Sequence, residues 1–122
     1  MKHLIAASLA LVLTAGIASA QPEPAPGKCD VKISFGSYAM GIDRGTYARV
    51  RRILAHDRGV ARSSEQRWGR EGEVTVCVTT KRHTDTTRLY ARIRAVLPRN
   101  PRGPVTLEAG ARNFTAGRAP RN

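Results

Sequence analysis

The chain has 122 residues, with 21 lysines and arginines against 9 acidic residues and a formal charge of +12. That length supports one domain with a modest core, and no internal repeat is found. Seventeen of the basic residues are arginine; such an excess bears on solubility and on association with anionic partners, not on fold.

The N-terminus has the anatomy of a secretory signal peptide. Lys2 and His3 precede an apolar run from Leu4 to Leu13, and Ala18-Ser19-Ala20 is a small-x-small cleavage site. A spanning helix needs about 20 apolar residues, and this run is shorter. Residues 1–20 are therefore expected to be removed after Ala20 by Sec-type export into a bacterial periplasm or beyond. No later segment is apolar enough to span a bilayer. Residues 21–28 form a proline-rich lead-in, residues 29–110 one α+β domain, and residues 111–122 a basic, flexible tail.

Export gives the two cysteines a meaning. In an oxidising compartment, Cys29 and Cys77 are expected to form one structural disulfide. Its loop closure contributes about 4 kcal/mol on the chain-entropy model. The spacing supplies no CxxC redox motif, and His56 and His83 complete no zinc pattern.

Val31, Ile33 and Phe35 alternate with Lys32 and Ser34, which predicts a half-buried strand. Asp43 is a cap for a helix to about Asp57, with Tyr47, Val50 and Leu54 as its buried stripe. Residues 60–68 read as a polar edge strand and Gly69-Arg70-Glu71-Gly72 as a hairpin turn. Residues 73–80 alternate valines with Thr75, Cys77 and Thr79. Thr84 or Asp85 caps a second helix with Leu89, Ile93, Val96 and Leu97 on its apolar stripe, and Pro98 ends it. A last strand runs from Val105 to Ala109.

The order β-α-β-β-α-β predicts a ferredoxin-like α+β fold: a four-stranded antiparallel sheet with two helices on one face. The first and third strands are then central neighbours, which brings Cys29 near Cys77. Strict alternation sets these cysteines on opposite faces, so the bridge requires Cys29 to precede the regular strand, or a bulge.

Functional signals are sparse. Gly36 to Gly41 has the look of a phosphate loop before a helix. Gly41 is followed by Ile42 and Asp43, however, where a P-loop has lysine and a hydroxyl residue, so a structural turn is expected. No GxSxG elbow or nucleophile–base pair is found, and His83-Thr84-Asp85 most simply caps a helix. An enzyme, a metal site and a cofactor are not expected. Tyr38 and Met40 are either exposed contact residues or the rim of the core. Trp68, between Arg67 and Arg70, either stacks on a sugar or ring or packs at the hairpin base with its indole N–H bonded. Lys32, Arg49 and Arg52 are further candidates for binding.

The element order resembles that of RNA-recognition domains. The first and third strands carry no aromatic on their open face and no RNP motif, so nucleic acid is not the expected partner. The segment Phe35-Gly36-Ser37-Tyr38, at the end of the first strand, resembles the GSF-like segment of the SPOR family, exported peptidoglycan-binding domains with the same element order. Thr79-Thr80-Lys81-Arg82 stand where that family carries a Gly-Pro-Phe segment. The resemblance implies glycan binding on the open sheet face. The expected function is a small exported, non-enzymatic binding module for an anionic envelope component or a periplasmic protein. The alternatives are a SPOR-like glycan binder and a small periplasmic enzyme or enzyme inhibitor. The rival reading of the charge is solubility alone.

Overall fold

The computed structural model describes residues 28–118. The expected signal peptide, nearly all of the lead-in and the last residues of the tail lie outside them. The elements run β1 (Val31–Phe35), α1 (Arg44–His56), β2 (Val60–Trp68), β3 (Glu73–Thr80), α2 (His83–Val96), β4 (Val105–Ala109) and β5 (Arg112–Ala116). The five strands form one antiparallel sheet in the order β2-β3-β1-β4-β5.

The period-2 pattern explains the sheet. Val31, Ile33 and Phe35 stand in register with Val78, Val76 and Val74 on one side, and Ile33 and Phe35 with Leu107 and Val105 on the other. Val50 and Leu54 of α1 and Leu89, Tyr90 and Ile93 of α2 close over this face, and all are buried. Each such aliphatic side chain contributes about 1.5–3 kcal/mol when removed from water. The opposite face carries the alternate residues and, among the described residues, has no covering element.

The four-stranded expectation is corrected by one strand. Residues 112–116, read from the sequence as part of a flexible tail, pair with β4 as Leu107 with Phe114 and Val105 with Ala116. Gly110, at φ 58°, opens the two-residue turn between Ala109 and Arg112, where hairpin geometry calls for a positive φ. Phe114 and Ala116 then fall on the helix-covered side. The stacked guanidinium of Arg94, 4.6 Å from the ring centroid, takes the place of a second apolar layer over Phe114.

Two details of the helices also differ. Thr46 is fully buried on α1, whereas Tyr47 is half-buried; the Tyr47 ring meets Phe35 edge-on at 5.3 Å and its hydroxyl donates to Glu65 at 2.7 Å. Burial, with the Glu65 carboxylate beside it, raises the Tyr47 pKa. Helix α2 is not capped by Thr84 or Asp85. It begins at His83, with Arg82 in the cap position and no side-chain cap bond, because Asp85 is drawn inward by arginines.

The disulfide Cys29–Cys77 is present, with Cα atoms 5.2 Å apart. Cys29 precedes β1, so the strand's alternation does not bind it. The Asp30 N–H still donates to the Val78 carbonyl at 2.9 Å, and Cys29 reaches Cys77 on the uncovered face. The bond is compatible with an extracellular location. Among the described residues, no helix is long and apolar enough to cross a membrane.

Candidate functional site

Two ends of the sheet carry distinct clusters. One lies where β1, β2 and β5 end and β3 and β4 begin. Beyond Phe35 the chain forms a loop organised by one hydroxyl. Ser37 Oγ accepts from the Ala39 and Gly41 amides at 3.0 and 2.9 Å and donates to Glu71 in the β2–β3 turn. Held so, Ala39 has a φ of 133°, a conformation that costs an L-residue of order 1–3 kcal/mol. On one side of it Met40 is 94% exposed. On the other, Tyr38 is partly exposed and its hydroxyl donates to the Arg118 carbonyl at 2.8 Å. Glu71 and Arg118 thus brace the loop from its two flanks.

Asp43 closes the same loop. One carboxylate oxygen accepts from the Thr46 amide and the other from the Arg102 amide, each at 3.0 Å. Burial works to raise the Asp43 pKa, but these amide donors outweigh it and the pKa is lowered. A carboxylate therefore occupies the start of α1, which accounts for the absence of a phosphate loop: the N-terminal amides already have their anion.

Trp68 closes β2 at this end. Its indole N–H donates to Thr75 Oγ1 at 3.0 Å, and Thr75 pairs with Ser34 Oγ at 3.2 Å. Trp68 thus lies on the uncovered face and is still 46% exposed. Two polar rows cross that face. Thr115, Thr106, Ser34, Thr75 and Gln66 stand in register, as do Asn113, Glu108, Lys32, Cys77 and Ser64. Lys32 pairs with Glu108 at 3.0 Å.

The other end holds a cluster that the sequence reading missed. Asp57, just after α1, has no exposed side-chain surface. It accepts from both Nη atoms of Arg88 at 2.8–2.9 Å, from Arg92 Nη1 at 3.0 Å and from the Gly59 amide at 2.8 Å. The Arg88 guanidinium, against the opposing effect of burial, lowers the Asp57 pKa to about 2. Asp85 accepts from Arg88 at 3.2 Å and Arg82 at 3.3 Å; burial works to raise its pKa, and the two arginines lower it. Gly59 is required here, since a Cβ would stand 2.7 Å from Asp85 Cγ. The sequence traces of this clamp are the i, i+3 spacings of Asp85 with Arg82 and Arg88 and the i, i+4 spacing of Arg88 and Arg92; nothing local points to Asp57.

Of the residues singled out from the sequence, the fold gathers Tyr38, Met40, Trp68, Arg67 and Arg70 at the loop end. Arg67 stands in register with Val74 and so on the opposite face from Trp68. Lys32 lies on the uncovered face. Arg49 and Arg52 lie on the exposed side of α1, where Arg49 Nη2 donates to Thr46 Oγ1 at 3.3 Å. His56 is engaged through Nδ1 with the Arg52 carbonyl at 2.9 Å. Among the described residues, no three His, Cys, Asp or Glu side chains cluster as metal ligands.

Compared with known proteins, the chain matches no family model, no curated protein and no solved structure.

Proposed function

We propose that this protein is an exported, non-enzymatic binding module whose partner docks on the loop end of the sheet. We read the fold as ferredoxin-like with one added edge strand, and residues 1–20 as a cleaved export signal. The single observation that carries the function is the strained backbone of Ala39, braced by Ser37 between two exposed apolar side chains. A methionine left in water gains nothing for the fold, whereas a loop already held in one conformation loses little entropy on binding. Arg67 and Arg70, exposed nearby, suit an acidic rim around an apolar pocket on a partner protein of the envelope.

The test is capture from periplasmic and envelope extract at low and high salt, comparing wild type with Met40→Asp and with Arg49→Ala. A partner retained in high salt, lost with Met40→Asp and kept with Arg49→Ala is expected. Retention unaffected by Met40→Asp would sink the reading. Capture that vanishes in salt for every variant would leave only exposed charge, which salt screens.

A second reading is favoured by the uncovered face. Its cross-sheet rows of hydroxyl and amide side chains, with Trp68 at the edge, suit a SPOR-like glycan site in which a sugar stacks on the indole. Sedimentation with purified cell-wall sacculi separates the two readings: the glycan site requires co-sedimentation that Trp68→Ala abolishes and Met40→Asp leaves intact.

A further inference from the structure

At the end opposite the loop, the charges do not balance. Arg58, Arg82, Arg88 and Arg92 line a cleft of about 430 Å³ with only Asp57 and Asp85 to oppose them. Arg88 alone bridges both carboxylates, so a clamp between the helices needs no more than one further arginine for neutrality. Arg58 makes no ion pair among the described residues. Arg82 gives only its Nε to Asp85, and Arg92 only Nη1 to Asp57. Among the described residues, both Nη groups of Arg82 and the Nη2 of Arg92 have no acceptor, and both arginines line the cleft.

The buried carboxylates also fix these side chains. A guanidinium held from behind by a carboxylate has already lost the rotamer freedom that a ligand would otherwise have to remove. Its planar fork matches the oxygens of a phosphate, to which two parallel N–H bonds can be made. We propose that this cleft is a phosphate site, taking a phosphomonoester, free or at the head of a lipid, between Arg82 and Arg92, with the Arg88 fork held by the carboxylates behind them. Asp57 and Asp85 position the guanidiniums and do not touch the ligand. The site is remote from the Tyr38–Met40 loop, so its failure leaves the docking proposal standing, and the reverse also holds.

Inorganic phosphate is the first probe, titrated at constant ionic strength and followed by amide NMR and thermal unfolding. Saturable shifts are expected at the Gly59 and Arg82 amides and not at Ala39. At a concentration about 20-fold above the midpoint, Tm should rise by roughly 5 °C or more. Arg82 is 79% exposed and pairs only with Asp85, so Arg82→Gln should fold normally and raise the midpoint about tenfold, in line with the worth of a charge-assisted hydrogen bond. Vesicles containing phosphatidic acid distinguish the source. If they displace phosphate where phosphatidylcholine vesicles do not, the natural ligand is a headgroup; if neither does, it is a free phosphate; both results uphold the site. No saturation in the wild type, or an unchanged midpoint in Arg82→Gln, overturns it.

Discussion

At the loop end, one hydroxyl organises a strained turn and a methionine stands in water; at the clamp end, a carboxylate with no exposed surface is gripped by two arginines and an amide. Both arrangements depart from the lowest-energy choice for their residues, but in opposite senses. The loop leaves the Met40 side chain uncovered and the Ala39 backbone strained. The clamp buries a charge and joins α1 to α2, so the fold depends on it. The difference separates residues kept for contact from residues kept for integrity. It gives a reason to seek a partner at the loop, and to read a ligand at the clamp only from the arginines that exceed its charge balance.

Several substitutions can break this contrast. The largest effect belongs to the disulfide, which joins the chain before β1 to β3. Cys29→Ala with Cys77→Ala should cost about 4 kcal/mol, measured by denaturant unfolding against the oxidised wild type. Asp57→Asn should follow at about 3 kcal/mol, near the low end for breaking a buried pair because both arginines are partly solvated. For a domain of this size it should lower Tm by about 15 °C.

The clamp also predicts the acid behaviour. The folded pKa of Asp57 is lowered from 3.8 to about 2, so the unfolded chain binds its proton first as pH falls. The stability from this carboxylate is fully present above about pH 4 and is lost as pH falls through about 2. Chemical denaturation across that window should show the loss in wild type, and a shallower slope in Asp57→Asn.

Smaller effects lie at the loop. Ser37→Ala removes the acceptor for two amides and should cost about 1 kcal/mol, with faster amide exchange at Ala39 and Gly41. Ala39→Gly relieves the positive φ and should stabilise the protein by up to about 1 kcal/mol, since glycine adopts that region freely. The same change should weaken partner binding by loosening the loop. Equal losses from Ser37→Ala and Asp57→Asn would erase the distinction between the two ends.

How much was legible in the sequence follows from the range of each interaction. The strands Val31–Phe35 and Glu73–Thr80 stand out by strict alternation, and α1 by Asp43 and its apolar spacing, because these signals are local. Strand β5 carries a single bulky apolar residue, Phe114, and its partner Arg94 sits on a different element, so five residues alone do not announce it. Trp68 illustrates an intermediate case: the sequence leaves open whether it stacks on a ligand or packs with its indole N–H bonded, and the hairpin brings Thr75 within reach as acceptor.

The sequence by itself determined the alternation of buried and open faces, the two helical segments, the turn glycines and the pairing of the only two cysteines. Each rests on a periodicity or a backbone preference that acts over a few residues, or on a count that leaves no other partner. Tertiary structure alone decided that Asp57 meets Arg88 and Arg92 across separations of 31 and 35 residues, that Asp85 turns inward instead of capping α2, and that Ser37 and Glu71 hold Ala39 in strain. Those outcomes depend on which side chains the packed sheet and helices bring within hydrogen-bond reach, a distance in space to which spacing along the chain gives no guide.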